Sequence, residues 1–60
     1  MTMEQVQIQL QYSNGGWQTM SITYNNPQFI LEAMRSLKER FPDKRVRAVD
    51  MNERLIDMLG

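Results

Sequence analysis

Gln5, Gln7, Gln9 and Gln11 alternate with Val6, Ile8, Leu10 and Tyr12, which is the period of a strand with one buried and one polar face. A second alternating run, Trp17 to Tyr24, follows the turn signal Asn14-Gly15-Gly16. Two such runs joined by so short a connection pair as an antiparallel hairpin. A lone hairpin is marginal in water, so its apolar face must be covered by another element of the chain.

The length of the loop decides which side chains share a face. A two-residue turn at Asn14-Gly15 sets Leu10 opposite Thr19 and Ile8 opposite Ser21, mixing polar and apolar groups on both faces. A three-residue loop, Asn14 to Gly16, instead pairs Leu10 with Met20, Ile8 with Ile22 and Val6 with Tyr24. Gln9 then faces Ser21, Gln7 faces Thr23, and Gly16 supplies the positive φ that a type I turn with a bulge requires. This second register is the expected one.

Asn26-Pro27 marks a helix start, with Asn26 as N-cap and Pro27 at the first helical position. From Pro27 to about Arg40, Ile30, Ala33, Met34, Leu37 and Phe41 recur at helical spacing, while Lys38 and Arg40 suit the negative end of the dipole. Pro42 ends it. Arg45 to Asp50 then reads as a strand, Met51-Asn52-Glu53 as a loop and Arg54 to Leu59 as a last strand. The odd loop places Val46 opposite Met58, Ala48 opposite Ile56 and Arg47 opposite Asp57, an opposite-charge pair.

The expected fold is therefore α+β, a ββαββ chain with one helix packed on a four-stranded sheet, forming a single domain over residues 1–60. This order of elements resembles the β-grasp arrangement of bacterial immunoglobulin-binding domains and, more loosely, ubiquitin. The resemblance implies a sheet of order 2-1-4-3 with the first and last strands parallel at its centre; the competing topology is an all-antiparallel sheet of order 2-1-3-4. No motif of those families accompanies the order of elements, so it implies nothing about ligands.

At 60 residues, with no Cys and no His, the chain has neither a disulfide framework nor thiolate or imidazole ligands to reinforce its small core. Good packing or self-association must serve instead. No apolar run reaches membrane-spanning length and the N-terminus lacks the layout of a signal peptide, so a cytoplasmic protein without membrane contact is expected. The lack of linkers and extensions suits a stand-alone gene product.

Enzymatic chemistry has no visible carrier. A nucleophile with its base, a pair of unequal carboxylates or a metal is the usual requirement, and the seven acidic residues are scattered. Gly15-Gly16 opens a strand and lacks a following lysine, unlike a phosphate-cradling loop. A non-catalytic protein without cofactor is the reading that remains.

Two surfaces are candidates for binding. The expected outer sheet face carries Gln5, Gln7, Gln9, Gln11, Thr19, Ser21 and Thr23, with Trp17, Val49, Leu55 and Leu59 as its apolar part. Neutral amides and hydroxyls are cheaper to desolvate than the Lys and Glu common on exposed faces, so Gln7, Gln9, Gln11, Trp17, Thr19, Val49 and Leu55 form a candidate protein interface, including a homodimer. The second candidate is the basic window from residue 35 to residue 47, with a local net charge of +4 within a chain that is neutral overall. Arg35, Lys38, Lys44, Arg45 and Arg47 are its candidate nucleic-acid contacts. Helix-terminal basic residues also serve as plain dipole partners, and the window lacks the interleaved aromatics of single-strand binders.

Overall fold

The computed structural model describes residues 4–59. Its elements are β1 (Gln5–Gln11), β2 (Trp17–Tyr24), α1 (Pro27–Arg40), β3 (Val46–Asp50) and β4 (Leu55–Leu59). The helix packs on one face of a four-stranded, fully antiparallel sheet of order β2-β1-β3-β4.

This order is the competing topology of the sequence reading, and it corrects the β-grasp order 2-1-4-3. The reason lies in which late strand is apolar on both sides. In β3, Val46 and Ala48 face the helix and Val49 faces away, and all three are buried. In β4, Leu55, Ile56 and Asp57 are exposed. A central strand is covered on both faces, so β3 takes the place beside β1 and β4 becomes a margin.

The helix forms where its punctuation directs. Asn26 has extended dihedrals, and its Oδ1 accepts from the N–H of Gln28 at 2.9 Å and of Phe29 at 3.3 Å, with Pro27 following. At the other end Phe41 is the C-cap, donating its N–H to the carbonyl of Leu37. The stripe Ile30, Met34, Leu37 is buried against Val6, Ile8, Leu10, Val46 and Ala48, with Ala33, Phe41 and Leu59 at the rim. Each of the fully buried Val, Ile, Leu and Met side chains contributes about 1.5–3 kcal/mol by leaving water.

The first hairpin keeps a three-residue loop but moves it by one position. Tyr12 N–H donates to Gly16 O at 2.7 Å and Gly15 N–H to Tyr12 O at 3.0 Å, so the loop is Ser13-Asn14-Gly15. Gly15, at φ 91°, holds the positive φ expected of Gly16. Asn14 Oδ1 accepts from Gly16 N–H at 2.9 Å, and this side-chain bond favours the placement observed.

Near this turn Gln11 pairs with Trp17, Leu10 with Gln18 and Gln9 with Thr19. A bulge then inserts Met20 as an extra residue, and the ladder continues as Ile8 with Ser21, Gln7 with Ile22, Val6 with Thr23 and Gln5 with Tyr24. The expected pairs Leu10 with Met20, Ile8 with Ile22 and Val6 with Tyr24 are thereby corrected. Ser21 and Thr23 turn to the helix side, while Ile22 and Tyr24 join the outer face.

The second hairpin behaves alike. Asp50 N–H donates to Arg54 O and Glu53 N–H to Asp50 O, both at 3.0 Å, which confirms Met51-Asn52-Glu53 as its loop. Beyond the pair Val49 with Leu55 a bulge at Ile56 shifts the ladder to Ala48 with Asp57, Arg47 with Met58 and Val46 with Leu59. The expected Arg47–Asp57 pair is therefore not formed. Leu59, expected on the outer face, packs against the core.

Candidate protein interface

The outer face of the sheet is built around β1. Because cross-strand partners share a face, Gln5, Gln7, Gln9 and Gln11 lie with Trp17, Thr19, Ile22 and Tyr24 of β2. On the other side they lie with Arg47 and Val49 of β3, which in turn face Met58 and Leu55 of β4. All seven residues of the candidate interface thus lie on one face of the sheet, although two of them, Gln9 and Val49, are buried within it and offer a partner little or no area.

Its centre is a directed chain of hydrogen bonds. Arg47 Nε donates to Gln9 Oε1 at 2.7 Å, Gln9 Nε2 to Thr19 Oγ1 at 3.1 Å, and Thr19 Oγ1 to Gln7 Oε1 at 2.7 Å. Gln7 Nε2 ends the chain on the backbone carbonyl of Asp50 at 3.2 Å, and Gln11 Nε2 reaches Gly15 O at 3.2 Å. Gln9, in the middle, is only 6% exposed, yet both ends of its amide are bonded. Among the described residues no buried side-chain nitrogen or oxygen lacks a partner.

Arg47 has a second role in this arrangement. Its guanidinium carbon lies 4.2 Å from the centroid of the Trp17 ring, a cation–π stack that holds the indole half-buried over the face. Val49 is 0% exposed although its register places it on the outer face, away from the helix.

Around this bonded centre stand uncovered apolar groups. Ile22 is 54% exposed and Tyr24 47% at the β2 margin, and Leu55 is 58% exposed at the β4 margin. Ile22 and Tyr24 escape the sequence reading because alternation alone assigns them to the core. A bulge leaves no mark in local alternation, and it is the bulge at Met20 that turns them outward.

The basic residues do not converge on one surface. Arg35 is exposed on the helix, and Lys38 Nζ donates to the backbone carbonyl of Lys44 at 2.7 Å. Arg45 Nη2 contacts Met58 Sδ at 2.8 Å. Arg47 belongs to the outer face, on the opposite side of the sheet from the helix. No helix of the described residues is long and apolar enough to cross a membrane.

Comparison of the chain with protein families, curated proteins and solved structures finds no match.

Proposed function

We propose that this chain is a small, non-catalytic cytoplasmic binding domain that receives a protein partner on the outer face of its sheet. The observation that supports this reading is the pairing of a self-satisfied polar centre with an exposed apolar margin. The amides of Gln7 and Gln9 are linked through the Thr19 hydroxyl and bonded further to Asp50 O and Arg47, while Ile22, Tyr24 and Leu55 remain open to water. A partner that covers such a face gains apolar burial and strips few unpaired polar groups of water. Trp17, Tyr24 and Arg47 are also the residue types that anchor protein interfaces.

The test is affinity capture from the native host with three baits: the wild-type protein, Leu55→Lys on the outer face and Leu31→Lys on the exposed helix surface. The expected result is a protein partner retained by wild type and Leu31→Lys and lost by Leu55→Lys. The same partners on all three baits would refute the reading. Retained material that is nucleic acid, released by moderate salt and by Arg45→Glu, would assign the basic window instead.

A further inference from the structure

We propose that β2 is a homodimerisation edge, on which a second copy of the chain adds its own β2 antiparallel about a two-fold axis between Met20 and Ser21. This concerns the hydrogen-bonding margin of the sheet, not its outer face, and it stands or falls separately from the reading above.

β2 is eight residues long, WQTMSITY, without a charge or a proline, two of the devices that keep an edge strand from pairing, and its bulge is the feature that fits it to a second copy of itself. The opposite margin, β4, is five residues long with Asp57 at its centre. A two-fold pairing about that centre sets Asp57 against its own copy, whereas β2 meets itself without repulsion.

The bulge makes β2 self-complementary. Trp17, Thr19, Ile22 and Tyr24 face outward, while Gln18, Met20, Ser21 and Thr23 lie on the helix side, so the sequence of faces reads the same in both directions about the Met20–Ser21 bond. In the two-fold pairing Trp17 lies opposite Tyr24 of the second copy, Thr19 opposite Ile22, Gln18 opposite Thr23 and Met20 opposite Ser21. Every pair shares a face, as an antiparallel ladder demands. An eight-residue strand that alternated strictly would fail this condition about the same axis.

The backbone agrees with the side chains. Bonds from Asn25 N–H to Glu4 O and from Tyr12 N–H to Gly16 O mark the even-numbered residues of β1 as those bonded to β2. Trp17, Thr19, Ile22 and Tyr24 pair with odd-numbered residues, so by the alternation of the ladder their own N–H and C=O groups point away from β1. These are the residues that the two-fold pairing sets against one another.

A cleft of about 210 Å³ lies where β2 meets the helix, lined by Met20, Ser21, Ala33, Ser36, Leu37 and Arg40. Three of its six lining residues, Ser21, Ala33 and Ser36, are small, and Ser21 stands where a core strand carries Val or Ile. The pairing brings Met20 of the second copy opposite Ser21, at the mouth of this cleft, and a flexible thioether side chain suits such a gap.

Sedimentation equilibrium tests the proposal with wild type, Ile22→Pro and Leu55→Lys, each checked for folding by circular dichroism. Ile22 N–H points out of the sheet, so proline removes an edge donor and leaves the internal ladder intact. The expected masses are a dimer for wild type and Leu55→Lys and a monomer for Ile22→Pro. A second measurement fixes the register and holds even if the proline variant does not fold. The chain has no cysteine, so Gln18→Cys and Thr23→Cys proteins, mixed under oxidised glutathione, should link to each other and neither to itself. A monomeric wild type, a dimeric and folded Ile22→Pro, or cross-links in any other pattern would overturn the proposal.

Discussion

The guanidinium of Arg47 is engaged twice, stacked 4.2 Å from the ring of Trp17 and donating through Nε to Gln9 Oε1 at 2.7 Å. One cation thereby joins β2, β1 and β3 across the outer face and satisfies an amide that is almost wholly buried.

Arg47→Met removes the stack and leaves Gln9 Oε1 buried without its donor. The loss of one hydrogen bond to a buried polar atom costs about 1–3 kcal/mol. Urea unfolding should show a drop of this size. Trp17 is the single tryptophan, so its native-state fluorescence should also shift as the indole loses its cover. Unchanged stability and emission would mean that the stack does not hold the face together.

The two hairpin turns have the same backbone bonds, but the position held by Gly15 in the first is held by Glu53, at φ 65°, in the second. An L-residue with a side chain in this region carries a strain of about 1–2 kcal/mol that glycine avoids. Glu53→Gly should therefore raise stability by about 1 kcal/mol despite the added freedom of the unfolded chain. Gly15→Ala should lower it by a similar amount, and thermal melts of the pair check both signs.

Burial separates the two apolar populations of the protein. Met34 is fully enclosed between helix and sheet, and Met34→Ala should cost about 2–5 kcal/mol, enough to unfold much of so small a domain. Leu55→Ala on the open margin should change stability by no more than about 0.5 kcal/mol. Val49 belongs with Met34. A charge placed there tests the fold and not the surface, which is why Leu55 is the residue to vary in a binding experiment.

The cap at Asn26 is separable from the core. Asn26→Ala removes the acceptor for two N–H groups of the first turn and should cost about 1 kcal/mol. Asn26→Asp keeps the acceptor and adds a negative charge at the positive end of the helix, where no acidic side chain now stands in the first turn. It should match or exceed the wild-type midpoint in a urea titration, and a loss equal to that of the alanine variant would show that the cap bond is not what starts the helix.

Much of this was legible in the chain. The faces of β1, the helix from Pro27 to Arg40 with its cap, and the stripe Ile30, Met34, Leu37 follow from periods and punctuation that act within a few residues of one another. So do the existence of both hairpins and the length of both loops. The grouping of Gln7, Gln9, Gln11, Trp17 and Thr19 on one surface followed as well, because the slip of the first loop moved the near half of β2 by two positions and preserved its faces.

The structure alone decided three things: the bulges, the strand order and the bonded chain on the outer face. Bulges at Met20 and Ile56 change which residues face the helix, and each depends on how the whole hairpin seats against the core. The position of β3 beside β1 depends on Val49 being covered from the far side, a demand that Val46 to Asp50 does not state in isolation. The link from Arg47 to Gln9 joins residues 38 positions apart. Local sequence fixes period and turns because those act through the backbone of neighbouring residues; register, order and side-chain chains are settled by contacts between segments that meet only once the chain has folded.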